Sequence, residues 1–559
     1  MADSRDAPPK KNFLIRWSRA LGDAIAGTPA FLKYYRLAIL GAAIYVFTFP
    51  NFLWTKTTLW PLAFIALAPM LAMADRAQTA KAAFKVGLVS GFFANLGKLY
   101  WLLHTIHHYG HFPLPAAILV LALLCLTIGS FWGVAFWANW SMSKRGGFSI
   151  WITFPLAWML LEWWMTVAMG IGFPWLAIGH ALIGWLPLAQ IADVIGGMNL
   201  SLPVAFGNVV AYEAWRAARA ERPNYPVKQA AGLIAVLLVF LVYGLVRMGQ
   251  IDKQMEAGET IKVGMLQGNI DQNEKWSEGN RVKTLRIYRR QAEEVKEKGA
   301  ELILMPETAL PFWQTQGKRL SRPVRAFLSK IDRWMLVAVP TRVPNEDDPE
   351  WPYKYNSAGL VSPDGKIVTW YNKHRLVPFG EYLPFKKIAI PLVTWLKTFE
   401  PLEDLRFSAG FYPGEEYVVF DYPRGRFGIA ICYEVIYPSI VRTVALPGVA
   451  FMTTITNDAW FGDTSAPHQH WDQVRMRAIE LRRYFARSAN TGISGIIDAN
   501  GRTISQTGTY VAKTAVGDVR TMQTQSIFLR FGEWFLHLCV LACFGLLLAT
   551  YRRHRRRGA

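Results

Sequence analysis

The stretch Arg426-Phe-Gly-Ile-Ala-Ile-Cys432-Tyr-Glu434 decides how the less apolar half of the chain is read. It predicts a strand over 426–432 that ends on a thiol, with a carboxylate two residues later. Open α/β sheets carry their sites at strand ends. Cys432 is one of four cysteines, and the other three, Cys125, Cys539 and Cys543, fall inside long apolar runs. With no disulfide partner in the polar part of the chain, Cys432 is either inert filler or a reactive group.

Outward from this stretch, strands and helices alternate. Strands are expected at 261–270, 301–305, 334–339 and 449–455, and helices at 280–298, 320–332 and 468–488. Ser362-Pro-Asp-Gly365 and Asn500-Gly501 read as hairpin turns. This is an α/β domain with mixed sheets. Its chemistry collects at element ends: Glu307 after the second strand, Lys373 after the first hairpin, and Cys432 at the end of a third strand. A lone surface Glu or Lys means little. These sit in stretches of unusual content: Met305-Pro-Glu-Thr-Ala-Leu-Pro311, Tyr371-Asn-Lys-His-Arg-Leu-Val-Pro-Phe-Gly-Glu381 and Gly428-Ile-Ala-Ile-Cys-Tyr-Glu434.

The flanks are apolar. Of 559 residues 52% are hydrophobic, concentrated in roughly 36–248 and 531–550. At about 20 residues per crossing, about eight spans are expected. They lie near 36–52, 57–74, 84–106, 113–139, 149–169, 190–212, 230–249 and 531–550. Pro61, Pro69 and Pro203 interrupt the second and sixth. Alternate loops are basic: Arg76, Lys81 and Lys85, then Lys144 and Arg145, then Arg216, Arg219, Arg222 and Lys228. The positive-inside rule then puts both tails in the cytoplasm and residues 252–529 outside. The net charge of +21 draws in part on the basic tails, for example Lys10, Lys11, Arg16 and Arg19, and Arg552, Arg553, Arg555, Arg556 and Arg557. It is read as membrane flanking charge, not a nucleic-acid surface. Lys98, Glu162 and Asp193 are charges within spans, read either as a mutual packing pair or as lining a wet cavity. His104, His107, His108 and His111 lack an accompanying carboxylate, so interfacial packing is preferred to a metal site.

The expected division is 1–35 basic tail, 36–250 membrane bundle with seven spans, 251–530 extracytoplasmic catalytic domain, 531–550 last span and 551–559 basic tail. The three motif stretches resemble the Glu–Lys–Cys motifs of the nitrilase, or carbon–nitrogen hydrolase, superfamily. Lys-His-Arg-Leu-Val-Pro-Phe-Gly-Glu-Tyr from Lys373, set among about eight spans, resembles apolipoprotein N-acyltransferases in particular. The resemblance implies an α-β-β-α sandwich beside the bundle, in a bacterial inner membrane with the catalytic domain periplasmic. It implies Glu307, Lys373 and Cys432 as catalytic residues, Glu381 in support, Tyr433 and Glu434 shaping the pocket, and Trp276 at the substrate. It also implies a phospholipid acyl donor, a Cys432 thioester, and the N-terminal amine of a diacylglyceryl apolipoprotein as acceptor. No motif calls for a metal, nucleotide or flavin. The alternatives are a membrane-tethered amidase or hydrolase that uses water, and a membrane scaffold with an inactive domain. Two apolar segments, Ala309–Thr315 and Leu383–Lys397, are expected to form arms at a lipid-accessible entrance.

Overall fold

The computed structural model describes residues 30–168, 172–272, 274–316, 321–345, 352–383, 387, 391 and 410–558. Five helices among these are long and apolar enough to cross a membrane: Ala30–Phe47, Leu114–Arg145, Ile150–Val167, Val227–Ala257 and Trp534–Arg556. A sixth crossing is possible if Ala80–Lys98 and Leu102–Tyr109, bent by 73°, act as one span. The count therefore differs from eight at the second and sixth apolar runs, the second broken at prolines and the sixth at Gly196 (φ 86°). Trp60–Ala74 is broken into a 3-10 turn and a seven-residue helix, with Pro61 and Pro69 each opening a segment. The sixth run splits into Leu186–Ile195 and Ser201–Ala217, too short to cross as straight helices.

The catalytic domain is built from two sheets. In chain order the strands are β1 Thr260–Gln267, β2 Leu302–Leu304, β3 Gln314–Thr315, β4 Trp334–Val343, β5 Tyr353–Val361 and β6 Ile367–Asn372. Then follow β7 Phe427–Ile431, β8 Phe451–Thr456, β9 Phe485–Ala489, β10 Gly495–Ile497, β11 Thr503–Gln506 and β12 Lys513–Arg520. The larger sheet runs β12-β1-β2-β4-β5-β6 with β3 on β4, and the smaller runs β11-β10-β9-β8-β7. Alternation along each strand divides its side chains between two faces. Ile303 packs under the helices Glu278–Glu297 and Arg322–Ile331, whereas Leu302 and Leu304 face the second sheet. The helices Pro438–Ala445 and Ala466–Leu481 cover that sheet's far side. The result is the expected four-layer α-β-β-α sandwich. Ser488 ties the layers together by donating to Leu266 O (2.8 Å) and Leu304 O (3.1 Å).

Two sequence expectations need correction. The helix expected over 468–488 ends at Leu481, because Arg482 is left-handed (φ 53°), and Phe485–Ala489 is strand β9. All five of its residues are buried between β8 and β10, so sheet pairing overrides helical continuity. The segment 309–315 is not a lipid arm. Ala309 and Leu310 are fully buried in the domain core, Gln314–Thr315 pairs with β4, and Trp313 lies under Arg342. Apolarity reads alike for a lipid contact and a core contact, which is why the sequence misled here. The second arm, apart from Leu383, Lys387 and Pro391, and the insert 346–350 lie outside the described residues, as do residues 1–29 of the basic N-terminal tail.

Candidate active site

Three strand ends deliver the candidate residues to one point. β6 ends at Asn372, and Lys373 follows it with its backbone N–H on Asn356 O (2.9 Å). β2 ends at Leu304, three residues before Glu307. β7 ends at Ile431, and Cys432 turns the chain into a 3-10 helix, Cys432–Ile436, with φ 51°. A left-handed, non-glycine residue at a strand-to-helix turn is strained, and such strain persists where the surroundings hold it. Here they do: His470 Nε2 lies 3.2 Å from Cys432 O, and the Glu434 carboxylate accepts the Ile431 N–H at 2.7 Å.

The charged core is tightly bonded. Lys373, 1% exposed, donates to Glu307 Oε1 (2.9 Å) and to Glu381 Oε1 (3.0 Å). Asn356 Nδ2 donates to the same two oxygens, at 2.7 Å each. Glu307 Oε2 accepts the Asn457 N–H (2.9 Å), and the nearby Cys432 thiol favours the ionised form of the same carboxylate. Burial alone would raise the Glu307 pKa, but Lys373 and these donors hold it below the usual carboxylate range. The two carboxylates hold the Lys373 ammonium well above its ordinary value despite burial. Burial, and then the Glu307 charge, push the Cys432 thiol up. The resting site is thus a thiol beside an ionised carboxylate, an arrangement in which a carboxylate can take a thiol proton.

The other expected residues fall close by. Glu381 joins the knot through Lys373, and its Oε2 takes the Val377 N–H (2.8 Å). Glu434 is fully buried behind the nucleophile rather than on an open wall. It accepts Tyr371 OH (3.0 Å to each oxygen), His374 N–H (2.7 Å) and Arg375 N–H (3.2 Å), and so braces the nucleophile turn against the lysine loop. Burial pushes its carboxyl up to about 7. Tyr433 reaches the membrane half: its ring stacks on Phe173 (6.1 Å, 21°), and Tyr437 OH donates to Tyr433 OH (2.7 Å). Trp276 is half-buried on the turn beside Lys275, and its ring is not part of this hydrogen-bonded network.

Four site residues carried no role in the sequence reading: Asn356, Asn457, His470 and Lys275. Asn356 left a signal, an amide within a strand whose later residues are all buried, since a buried amide demands partners. His470 and Asp458 are joined by the fully buried Arg487, which reaches Asp458 Oδ2 (2.8 Å) and His470 Nδ1 (3.1 Å). Lys275 is fully buried and donates to Thr308 Oγ1 (2.9 Å), next to Glu307. Burial lowers its pKa to about 7. No group of three or more His, Cys, Asp or Glu among the described residues could hold a metal ion. His104 and His108 stack on each other at 5.0 Å instead.

The charged residues of the spans separate. Asp193 binds Arg482 and Arg247 (2.9 Å each) at the junction with the catalytic domain. Lys98 and Glu162 lie together in the lining of a small cavity with Tyr45, Trp132 and Trp158. A packing role therefore fits Asp193, with partners other than those expected, and the cavity fits the other two.

Comparison with known proteins agrees with this architecture. The carbon–nitrogen hydrolase family matches residues 262–527, and the apolipoprotein N-acyltransferase N-terminal domain matches residues 41–210. The apolipoprotein N-acyltransferase of Geobacter metallireducens is 34% identical over 93% of this chain and 95% of its own. That of Methylococcus capsulatus is 30% identical over 94% of this chain and 98% of its own. With both halves matched at nearly full length, the chain belongs to the apolipoprotein N-acyltransferase family, an acyltransferase with a carbon–nitrogen hydrolase domain joined to apolar helices.

Proposed function

We propose that the protein transfers an acyl chain from a phospholipid, through a Cys432 thioester, to the N-terminal amine of a diacylglyceryl-cysteine apolipoprotein. The observation that carries this is the position of Cys432. Its thiol lies beside the base Glu307, and the next residue, Tyr433, stacks on Phe173 of the apolar half. This supports a nucleophile close to the apolar half, as attack on a lipid ester requires.

In the first half, Glu307 takes the thiol proton and the thiolate attacks the ester carbonyl. The oxyanion that forms is met by the Lys373 ammonium and a backbone N–H near Cys432, and one such donor is worth about 2.7–4 kcal/mol of barrier. The ester C–O bond then breaks, and the lysophospholipid leaves with the proton from Glu307. In the second half the α-amine attacks the thioester, Glu307 takes its proton, and the C–S bond breaks to give an amide and the free thiol. The two steps alternate at one site, as a ping-pong reaction. Asn356 and Glu381 keep Lys373 and Glu307 in register throughout. The basic loops support a bacterial inner-membrane protein with a periplasmic catalytic domain and cytoplasmic termini.

The test is intact mass of the detergent-purified protein after incubation with phospholipid, beside Cys432→Ala. An acyl-sized gain, labile to hydroxylamine and absent from the variant, is the expected result. Lysophospholipid release with no gain would replace the transfer by hydrolysis. Neither gain nor turnover would return the inactive-scaffold reading.

A further inference from the structure

Between the helix Ile150–Val167 and the 3-10 helix Ile178–Gly184 the described chain, residues 172–177, has no regular structure, yet Phe173 is partly buried and Trp175, Leu176 and Ala177 are buried. Backbone polar groups in such a place need partners. Three come from elsewhere in the fold. Lys98 Nζ donates to Trp175 O (3.0 Å), Glu162 Oε1 accepts the Ile178 N–H (3.2 Å), and Tyr437 OH donates to Gly172 O. Lys98 gives its hydrogen bond to this strap rather than to Glu162. Glu162 is in turn fixed by Trp158 Nε1 (3.0 Å) and Ser201 Oγ (3.1 Å).

The strap also touches residues on either side of Cys432. Phe173 and Trp175 stack on each other (5.5 Å, 7°). Phe173 then meets Tyr433, while Trp175 meets the ring of His470 (5.6 Å), which holds the Cys432 carbonyl. An unbroken set of contacts therefore runs from the two buried charges to both sides of the nucleophile.

We propose that Lys98 and Glu162 are positioning residues of acyl transfer, holding the 172–178 strap at the height where Phe173 and Trp175 present a lipid ester to Cys432. This rests on the reaction proposed above. A merely structural pair would fix helix packing and leave the lipid step no more sensitive than any other property of Cys432.

The experiment compares two rates in full-length protein in detergent: thioester formation with dioleoyl phosphatidylethanolamine, and alkylation of Cys432 by iodoacetamide. For Lys98→Met and Glu162→Leu, each of which removes one hold on the strap, thioester formation should fall at least about tenfold while alkylation stays within about twofold of wild type. Lys98→Arg, which keeps a cationic donor, should recover most of the loss. Unchanged thioester formation, or equal falls in both rates, overturns the proposal. If Lys98→Met does not fold, Glu162→Leu, which removes the acceptor of the Ile178 N–H, decides alone. A wild-type protein that is alkylated but never acylated overturns the underlying reaction and this role with it.

Discussion

Charge is buried around Cys432 and again where the helical half meets the catalytic domain, but the two regions are wired differently. At the site, Glu307, Lys373, Glu381 and Asn356 share two carboxylate oxygens, and the members lie within 74 positions of one another, the widest separation being Glu307 to Glu381. At the junction, Arg482 crosses 289 positions to reach Asp193 (2.9 Å) and also binds Gln190 Oε1 (2.6 Å) and Asn500 Oδ1 (3.0 Å). Glu480 accepts the Gly197 N–H (2.7 Å) across the same seam. The first network sets protonation states around one thiol. The second locks two parts of the chain together. A substitution should therefore damage chemistry in one region and stability in the other.

The largest expected effect is Glu307→Gln. Without its base, thioester formation should fall by about 10²–10⁴-fold, measured by stopped intact-mass time courses. The unfolding midpoint should move little, because the amide oxygen can still accept from Lys373. A large drop in midpoint with modest rate loss would erase the distinction between the regions. Next is Arg482→Ala, expected to destabilise the protein by about 1.5–3 kcal/mol, because Arg247 still meets the Asp193 carboxylate while the Gln190 and Asn500 oxygens lose their buried donor. The double variant with Asp193→Asn should lose much less than the two single losses added, which thermal unfolding in detergent would measure. Additive losses would mean the pair is not a unit.

Asn356→Ala tests a smaller share of the site. It leaves two carboxylate oxygens short of a donor, at about 1–3 kcal/mol. The loss should appear in the rate of acylation, roughly ten- to hundredfold, more than in Cys432 accessibility to iodoacetamide. The smallest effect is a slope with pH. Burial pushes the Glu434 carboxyl up to about 7 in the folded chain, above the 4.5 of an ordinary glutamate. Between those values the folded state holds the extra proton, so Glu434 makes stability decline as pH rises from 4.5 to about 7. Glu434→Gln should flatten that decline in a melting series. Glu307 is shifted the other way: its contribution is present above the ordinary carboxylate range and lost only as pH falls below it. A decline that survives in Glu434→Gln would assign the proton elsewhere.

Much of the site was legible because its residues stand at the ends of short apolar strands, where local pattern fixes both position and direction. Glu307, Lys373 and Cys432 follow β2, β6 and β7, and each strand could be read from its own few residues. Asn356 was harder, since an amide within a strand does not say which carboxylates it will meet. Lys275 and His470 gave no local sign at all. Their roles come from burial against Thr308 and the Cys432 carbonyl, which lie on other elements.

By itself the sequence determined the alternation of apolar runs, the α/β class of residues between them and the identity of the thiol, because these depend on periodicity and composition along the chain. Only the tertiary structure decided that 485–489 is a strand, that 309–315 packs inward, and that Asp193 answers to Arg482 rather than Lys98. Those outcomes depend on which partner a buried group finds. For an apolar face or a lone charge, many partners satisfy the local rules, and packing selects one.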